Sequence, residues 1–187
     1  REAIKQLAVA AGERDITMLV IEASKNPEMA NTLLKLSIAA AKKTSSVAAK
    51  DMLCAAMVQT AIKGNNAYAA LVLKNLPKAA AVNVSKVDSR DAVTYVKSKL
   101  ADAELGELAT RALLDWPEYH AIAELSKMAV KAKDETSKLL ALRAWIRIAD
   151  ECAGLHEKKK LEELGKAGKL VTRVDEKRLV IGALGRL

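Results

Sequence analysis

Aromatic, imidazole and carboxylate groups gather at one place in this sequence, Trp116-Pro117-Glu118-Tyr119-His120. Tryptophan and tyrosine are enriched where proteins bind one another, so the functional reading of this cluster is a binding hot spot. The same five residues also fit a turn between helices, with Trp116 as a packing anchor and Pro117 at a helix start, where its missing N–H costs nothing. His120 and His156 are the only histidines. A metal site needs three or four converging ligands, and no His/Cys/Asp/Glu spacing supplies them. Nucleophilic catalysis needs an activated serine or cysteine with a base in reach, and no G-x-S-x-G elbow occurs. Gly165-Lys166-Ala167-Gly168-Lys169 has glycines and lysines but lacks the strand–loop–helix setting of a phosphate loop. Glu162 and Glu163 are adjacent and point in different directions around a helix. A carboxylate pair for acid–base work would have to come from separate helices. Catalytic, cofactor and metal sites are therefore not expected. An enzyme with a shallow carboxylate site is the remaining catalytic alternative.

The cations fit a solvated surface. Lys158-Lys159-Lys160 is the densest basic run, but Glu157, Glu162 and Glu163 surround it, which reads as a mixed-charge helix start. Lys42-Lys43 suits a helix C-terminus, where cations meet the negative end of the dipole. The net charge of +8 divides into +3 over 1–64, +2 over 65–106 and +3 over 107–187. Even spreading suits solubility better than a concentrated phosphate-binding stripe.

These residues must be positioned by helices. About half the 187 residues are apolar, phenylalanine is absent and aromatics are scarce, so the core is built from Ala, Leu, Val, Ile and Met. Few β-branched runs remain to build a sheet. Cys54 and Cys152 lie in predicted helices among apolar neighbours and read as small hydrophobes. No apolar run approaches the ~20 residues that span a bilayer. The spacing predicts helices over 1–11, 16–25, from Pro27 to about Lys43, from a Ser45/Ser46 cap to Ile62, over 67–76 with Pro77 kinking or ending it, from an Asp88 or Ser89 cap to Leu100, and over 103–115. Residues 80–88 read as a loop. From Ala109 to Ile148 the chain reads as two amphipathic helices joined by a short turn.

That block recurs. Ala3, Leu7, Ile16, Leu19 and Ala23 match Ala109, Leu113, Ile122, Leu125 and Ala129 at an offset of 106. Leu34, Ile38 and Ala41 then match Leu142, Ile146 and Ala149 at an offset of 108. The apolar spacing survives and the two extra residues fall in the turn, which is how repeat arrays vary.

Within the tract from Ala112 to Asp150, three pieces stand in order: Asp115-Trp116-Pro117, the helix Ile122 to Ala132, and Ala141-Leu142-Arg143-Ala144-Trp145-Ile146-Arg147-Ile148-Ala149. The tail Asp175-Glu176-Lys177-Arg178-Leu179-Val180-Ile181-Gly182-Ala183-Leu184-Gly185 follows. These pieces resemble bacterial HEAT-repeat proteins over residues 107–187. The resemblance implies an all-α fold, a right-handed α-solenoid of stacked antiparallel helical hairpins with about ten helices. It also implies a protein-binding scaffold, in a group whose modules often lie beside sugar-active or redox domains.

The expectation is one solenoid domain over 1–187, irregular over 77–104, and a fragment of a longer chain whose uncapped ends can self-associate. It is expected to be a non-enzymatic scaffold that binds a protein partner or a fused domain through its concave surface, with no cofactor. Arg143, Arg147, Trp116 and Tyr119 form the candidate interaction surface. Arg143 and Arg147 lie four apart on one helix face and could cross to Glu118 or Asp134, while Trp145 is offset from that face. The alternative is a nucleic-acid-binding HEAT-like domain, using dispersed basic residues, for which bacterial DNA-repair glycosylases offer a precedent.

Overall fold

The computed structural model describes residues 13–44, 47–83 and 90–187. The predicted 1–11 helix and the Ser45/Ser46 and Asp88/Ser89 caps lie outside the described residues. The described chain is all-α. Its ten helices are α1 (Glu13–Lys25), α2 (Ala30–Lys43), α3 (Val47–Lys63), α4 (Asn66–Ala80), α5 (Arg90–Ser98), α6 (Gly106–Leu114), α7 (Ile122–Lys131), α8 (Glu135–Glu151), α9 (Glu157–Gly168) and α10 (Val174–Leu184). Short 3-10 turns occupy Ala81–Asn83 and Tyr119–Ala121. The chain falls into two compact units, residues 1–112 and 113–187, with the division inside α6. No described helix is long and apolar enough to cross a membrane.

In the first unit, α1 packs on α2 and α3, and α4 packs on the same two helices. Ile16, Val20 and Ala23 form the buried stripe of α1, at the i, i+4, i+7 spacing of one helix face. By contrast α4 is buried nearly all round, through Tyr68, Ala69, Val72, Leu73, Leu76, Ala79 and Ala80. Beyond its first two residues only Lys74 and Lys78 are exposed along it, and a helix apolar over most of its surface belongs in a core. Asn65 starts it by accepting the Tyr68 N–H at 2.9 Å, an N-cap bond that satisfies an otherwise orphaned donor. The Tyr68 hydroxyl then ties α4 to its neighbours, donating to the Val20 carbonyl at 3.2 Å and lying 3.1 Å from Thr60 Oγ1.

In the second unit α8 is the hub and touches α7, α9 and α10. Asp134 caps it, accepting the Ser137 N–H at 2.7 Å, and that bond holds the Asp134 carboxyl below its usual value. Cys54 and Cys152 are buried thiols outside any disulfide.

The helix order repeats between the units. Helix α1 ends at Lys25 and α7 at Lys131, a difference of 106, whereas α2 ends at Lys43 and α8 at Glu151, a difference of 108. These are the offsets of the sequence match. Leu34, Ile38 and Ala41 are buried, and so are Leu142, Ile146 and Ala149.

Several element boundaries differ from the sequence reading. Helix α1 begins at Glu13 rather than Ile16, and α5 ends at Ser98 rather than Leu100. Within the stretch read as a loop, Ala80 closes α4 and Ala81–Asn83 form a 3-10 turn. The helix expected from Pro27 begins at Ala30, because Pro27–Met29 form a turn in which Met29 N–H bonds the Asn26 carbonyl at 3.0 Å. Pro77 neither ends nor breaks its helix. It removes one ladder bond, but the Ala81 N–H still reaches the Pro77 carbonyl, and the buried ring sits inside α4.

The helix expected from residue 103 begins at Gly106. Asp102 Oδ1 accepts the N–H groups of Glu104 and Leu105 at 2.9 and 3.0 Å and holds the chain in a turn. At Gly106 an added Cβ would lie 2.8 Å from the Leu100 carbonyl oxygen. Gly106→Ala is therefore expected to destabilise the first unit by about 1–3 kcal/mol, the range for overpacking against an atom that cannot swing away. Chemical denaturation followed by circular dichroism measures this, and a loss below about 0.5 kcal/mol would show that the turn gives way freely.

Candidate interaction site

The second unit carries the cluster singled out in the sequence. Within Trp116–His120 the residues separate. Trp116 is fully buried, and its Nε1 finds no hydrogen-bond partner among the described residues. Two residues later Glu118 is also buried, with His120 Nδ1 3.5 Å from its Oε2. Tyr119 turns outward on the 3-10 turn at 43% exposure, with its ring centroid 4.0 Å from that of His120.

Arg143 and Arg147 do not cross to Glu118 or Asp134. Arg143 reaches α10, where its Nε donates to Glu176 Oε1 at 2.8 Å and its Nη2 lies 2.6 Å from the same oxygen. Glu176 is 1% exposed. Burial pushes its carboxyl up, but the Arg143 hydrogen bond, its own backbone N–H and the Arg143 and Arg173 charges outweigh this and hold it below the usual value. Arg147 Nη2 donates to the carbonyls of Leu114 and Trp116, both at 2.9 Å. Each arginine thus holds two segments of the unit together, and Arg143 keeps part of its side chain in solvent.

A groove of about 370 Å³ opens between helix α7 with the turn before it, helix α8 and helix α9. Tyr119, Ile122, Trp145 and Leu155 give it an apolar lining, and Lys159, Glu163 and Lys166 line it from α9. Glu163 is buried and engaged on both oxygens. Its Oε2 accepts the Trp145 indole N–H at 3.1 Å, and its Oε1 lies 2.9 Å from Lys166 Nζ and 3.4 Å from Lys159 Nζ.

Exposed Glu162 accepts from the same two ammonium groups at 2.6 and 3.0 Å. The Lys166 and then the Lys159 hydrogen bonds bring the Glu162 carboxyl down to about 2, and both lysines titrate above their ordinary value. Each ammonium carries three donors. Lys166 donates to both Glu162 and Glu163 and Lys159 to Glu162, which holds both ammonium groups at the edge of the groove. The groove thus presents an apolar wall beside two fixed donors.

Of the four residues expected at the interaction surface, Tyr119 lines the groove. Trp116 is enclosed beneath the turn, and Arg143 and Arg147 are engaged elsewhere in the unit. Sequence reasoning did not place Trp145, Glu163, Lys159 or Lys166 there. A usable signal was present: Glu163 is three residues after Lys160 and four before Ala167, and Leu164 and Ala167 continue the buried side of α9. A carboxylate on that stripe requires donors nearby.

The described residues form an all-helical fold of ten helices in two compact units, the second bearing the groove. Comparison with known protein families, curated proteins and solved structures finds no match to this chain.

Proposed function

We propose that this chain is a HEAT-like α-solenoid interaction module, non-enzymatic, that binds a protein partner through the face of the second unit bearing the groove. The observation that carries the reading is the next-but-one packing of helices: α1 on α3 and α2 on α4 in the first unit, α8 on α10 in the second. That pattern is what stacked hairpins require, since one hairpin cannot bury its apolar side alone and its neighbour must cover it. The groove supplies the chemistry of recognition. Tyr119 offers a rigid amphipathic ring, Ile122, Trp145 and Leu155 an apolar seat, and the lysines two orienting donors. Few directional polar groups on an apolar concavity is the usual construction of a binding site.

Ser126 lines the groove and is half-buried, so Ser126→Arg fills it without removing a core group. The test is affinity capture with the wild-type chain, Tyr119→Ala and Ser126→Arg, with circular dichroism confirming the fold of each. A protein partner retained by the wild type is expected to be lost at least about tenfold by both variants, as for a central contact. Titration with single- and double-stranded nucleic acid at two salt concentrations tests the competing reading. Binding that is strong at low salt and falls steeply with salt would favour a nucleic-acid partner and displace this one.

A further inference from the structure

Helices α4 and α10 hold the same place in the two helix series, and their sequences correspond at the offset of 108. Leu71-Val72-Leu73 stands against Leu179-Val180-Ile181, Leu76 against Leu184 and Lys78 against Arg186. One face behaves alike in both: Val72 and Asn75 are buried in α4, as Val180 and Ala183 are in α10. The other face does not. Leu73 and Leu76 are fully buried, whereas Ile181 is 69% and Leu184 37% exposed. Val174, two turns before Ile181 on the same side, is 62% exposed. Helix α10 thus keeps the two-sided apolar pattern of a buried helix but covers only one side.

We propose that the bare face of α10 is a docking surface for an acidic amphipathic helix of a protein partner. Its shape calls for a helix: Val174 and Ile181 form a stripe about 10 Å long, two turns at 1.5 Å per residue, flanked by the side chains of Lys177 and Arg178. Its charge calls for acid. Arg173, Lys177 and Arg178 are exposed around the stripe, and Asp175 is the exposed carboxylate among them, 3.9 Å from Arg178. Two copies of this chain meeting face to face would bring those cations together, and each copy carries a net charge of +8. A partner helix with an aliphatic stripe between glutamates covers Val174 and Ile181 and pairs with the rim. This surface lies on α10, apart from the groove residues, so either binding reading can fail without the other.

The probe is a synthetic helical peptide with leucines at i, i+4 and i+7 and glutamates on either side, fluorescently labelled and titrated with the whole chain. Saturable binding is expected. It should weaken at least about tenfold with Ile181→Glu or Val174→Glu, and about as much when the peptide's glutamates become lysines. Val130→Glu, at another exposed apolar position of the same unit, should leave it unchanged. Both α10 positions are exposed, and circular dichroism confirms that each variant folds. Absence of saturable binding, indifference to both α10 substitutions, or equal binding of the lysine peptide overturns the proposal. So does a dimer in light scattering that Ile181→Glu dissolves, which would make the occupant a second copy.

Discussion

Replacing Trp116 with alanine is expected to destabilise the second unit by about 4 kcal/mol, within the range for deleting a large buried aromatic. The indole is fully buried, so its removal forfeits the transfer free energy of the ring and leaves a cavity in a close-packed interior. The backbone at this point is tied in place as well, since Arg147 grips the Trp116 and Leu114 carbonyls. Such a clamped turn has little freedom to collapse into the space.

Trp116→Phe separates packing from polarity. It keeps most of the apolar area and removes an N–H that has no acceptor among the described residues, so its cost is expected to be about 1 kcal/mol. Both tryptophans of the chain lie in 113–187. In either variant the remaining Trp145 fluorescence therefore reports unfolding of that unit alone. A urea midpoint for Trp116→Ala within about 1 kcal/mol of the wild type would show that the ring is not the anchor of this turn.

Trp116 and Tyr119 also illustrate how far the sequence could be read. Both are aromatic, three residues apart, and fit a binding surface or a packing turn equally well. What divides them is the 3-10 turn at Tyr119–Ala121, which presents Tyr119 while Trp116 stays beneath it. A turn of one residue triplet leaves no periodic signature. The long helices are legible for the opposite reason: Ile16, Val20 and Ala23, or Leu142, Ile146 and Ala149, recur at helical spacing and are buried as that spacing requires.

Pairings across the fold are the least legible. Arg143 meets Glu176 from 33 residues away, and Trp145 meets Glu163 from 18. Nothing local in the chain selects Glu176 for Arg143 over Glu118 or Asp134, both nearer to it in sequence, or Glu163 for Trp145 over the adjacent Glu162. Glu163 and Glu176 look like surface residues by type and like core residues by position. Glu176 stands four before Val180 and seven before Ala183, on the buried stripe of α10. Position prevails because an arginine or an indole and two lysines stand ready to receive each carboxylate. That compensation becomes visible only when helices distant in sequence are brought side by side.

The Arg143–Glu176 pair should therefore behave as a unit. Arg143→Ala strands a carboxylate that is 1% exposed, and breaking a buried pair from one side costs about 3–5 kcal/mol. Because 44% of the Arg143 side chain is in solvent, water offsets part of that, and about 2–3 kcal/mol is expected. The double variant Arg143→Met/Glu176→Leu removes both charges together and is expected to recover most of the loss, since an apolar replacement of a buried pair is often neutral.

The pH dependence has a definite sign. The Glu176 carboxyl is held below its usual value in the folded chain. It thus contributes stability that is present above the ordinary glutamate range and is lost as the pH falls through the depressed value. In Arg143→Ala the burial that opposes ionisation acts without that partner, so the carboxyl takes up a proton more readily. The difference between wild type and Arg143→Ala is then largest near neutral pH and narrows on acidification. Glu162 also titrates low, at about 2, but it does so in both proteins and cancels from the difference. Urea midpoints followed by tryptophan fluorescence at neutral and acid pH measure this directly. A deficit that stays constant across that interval would mean that Arg143 supports the unit by the packing of its stem rather than by its charge on Glu176.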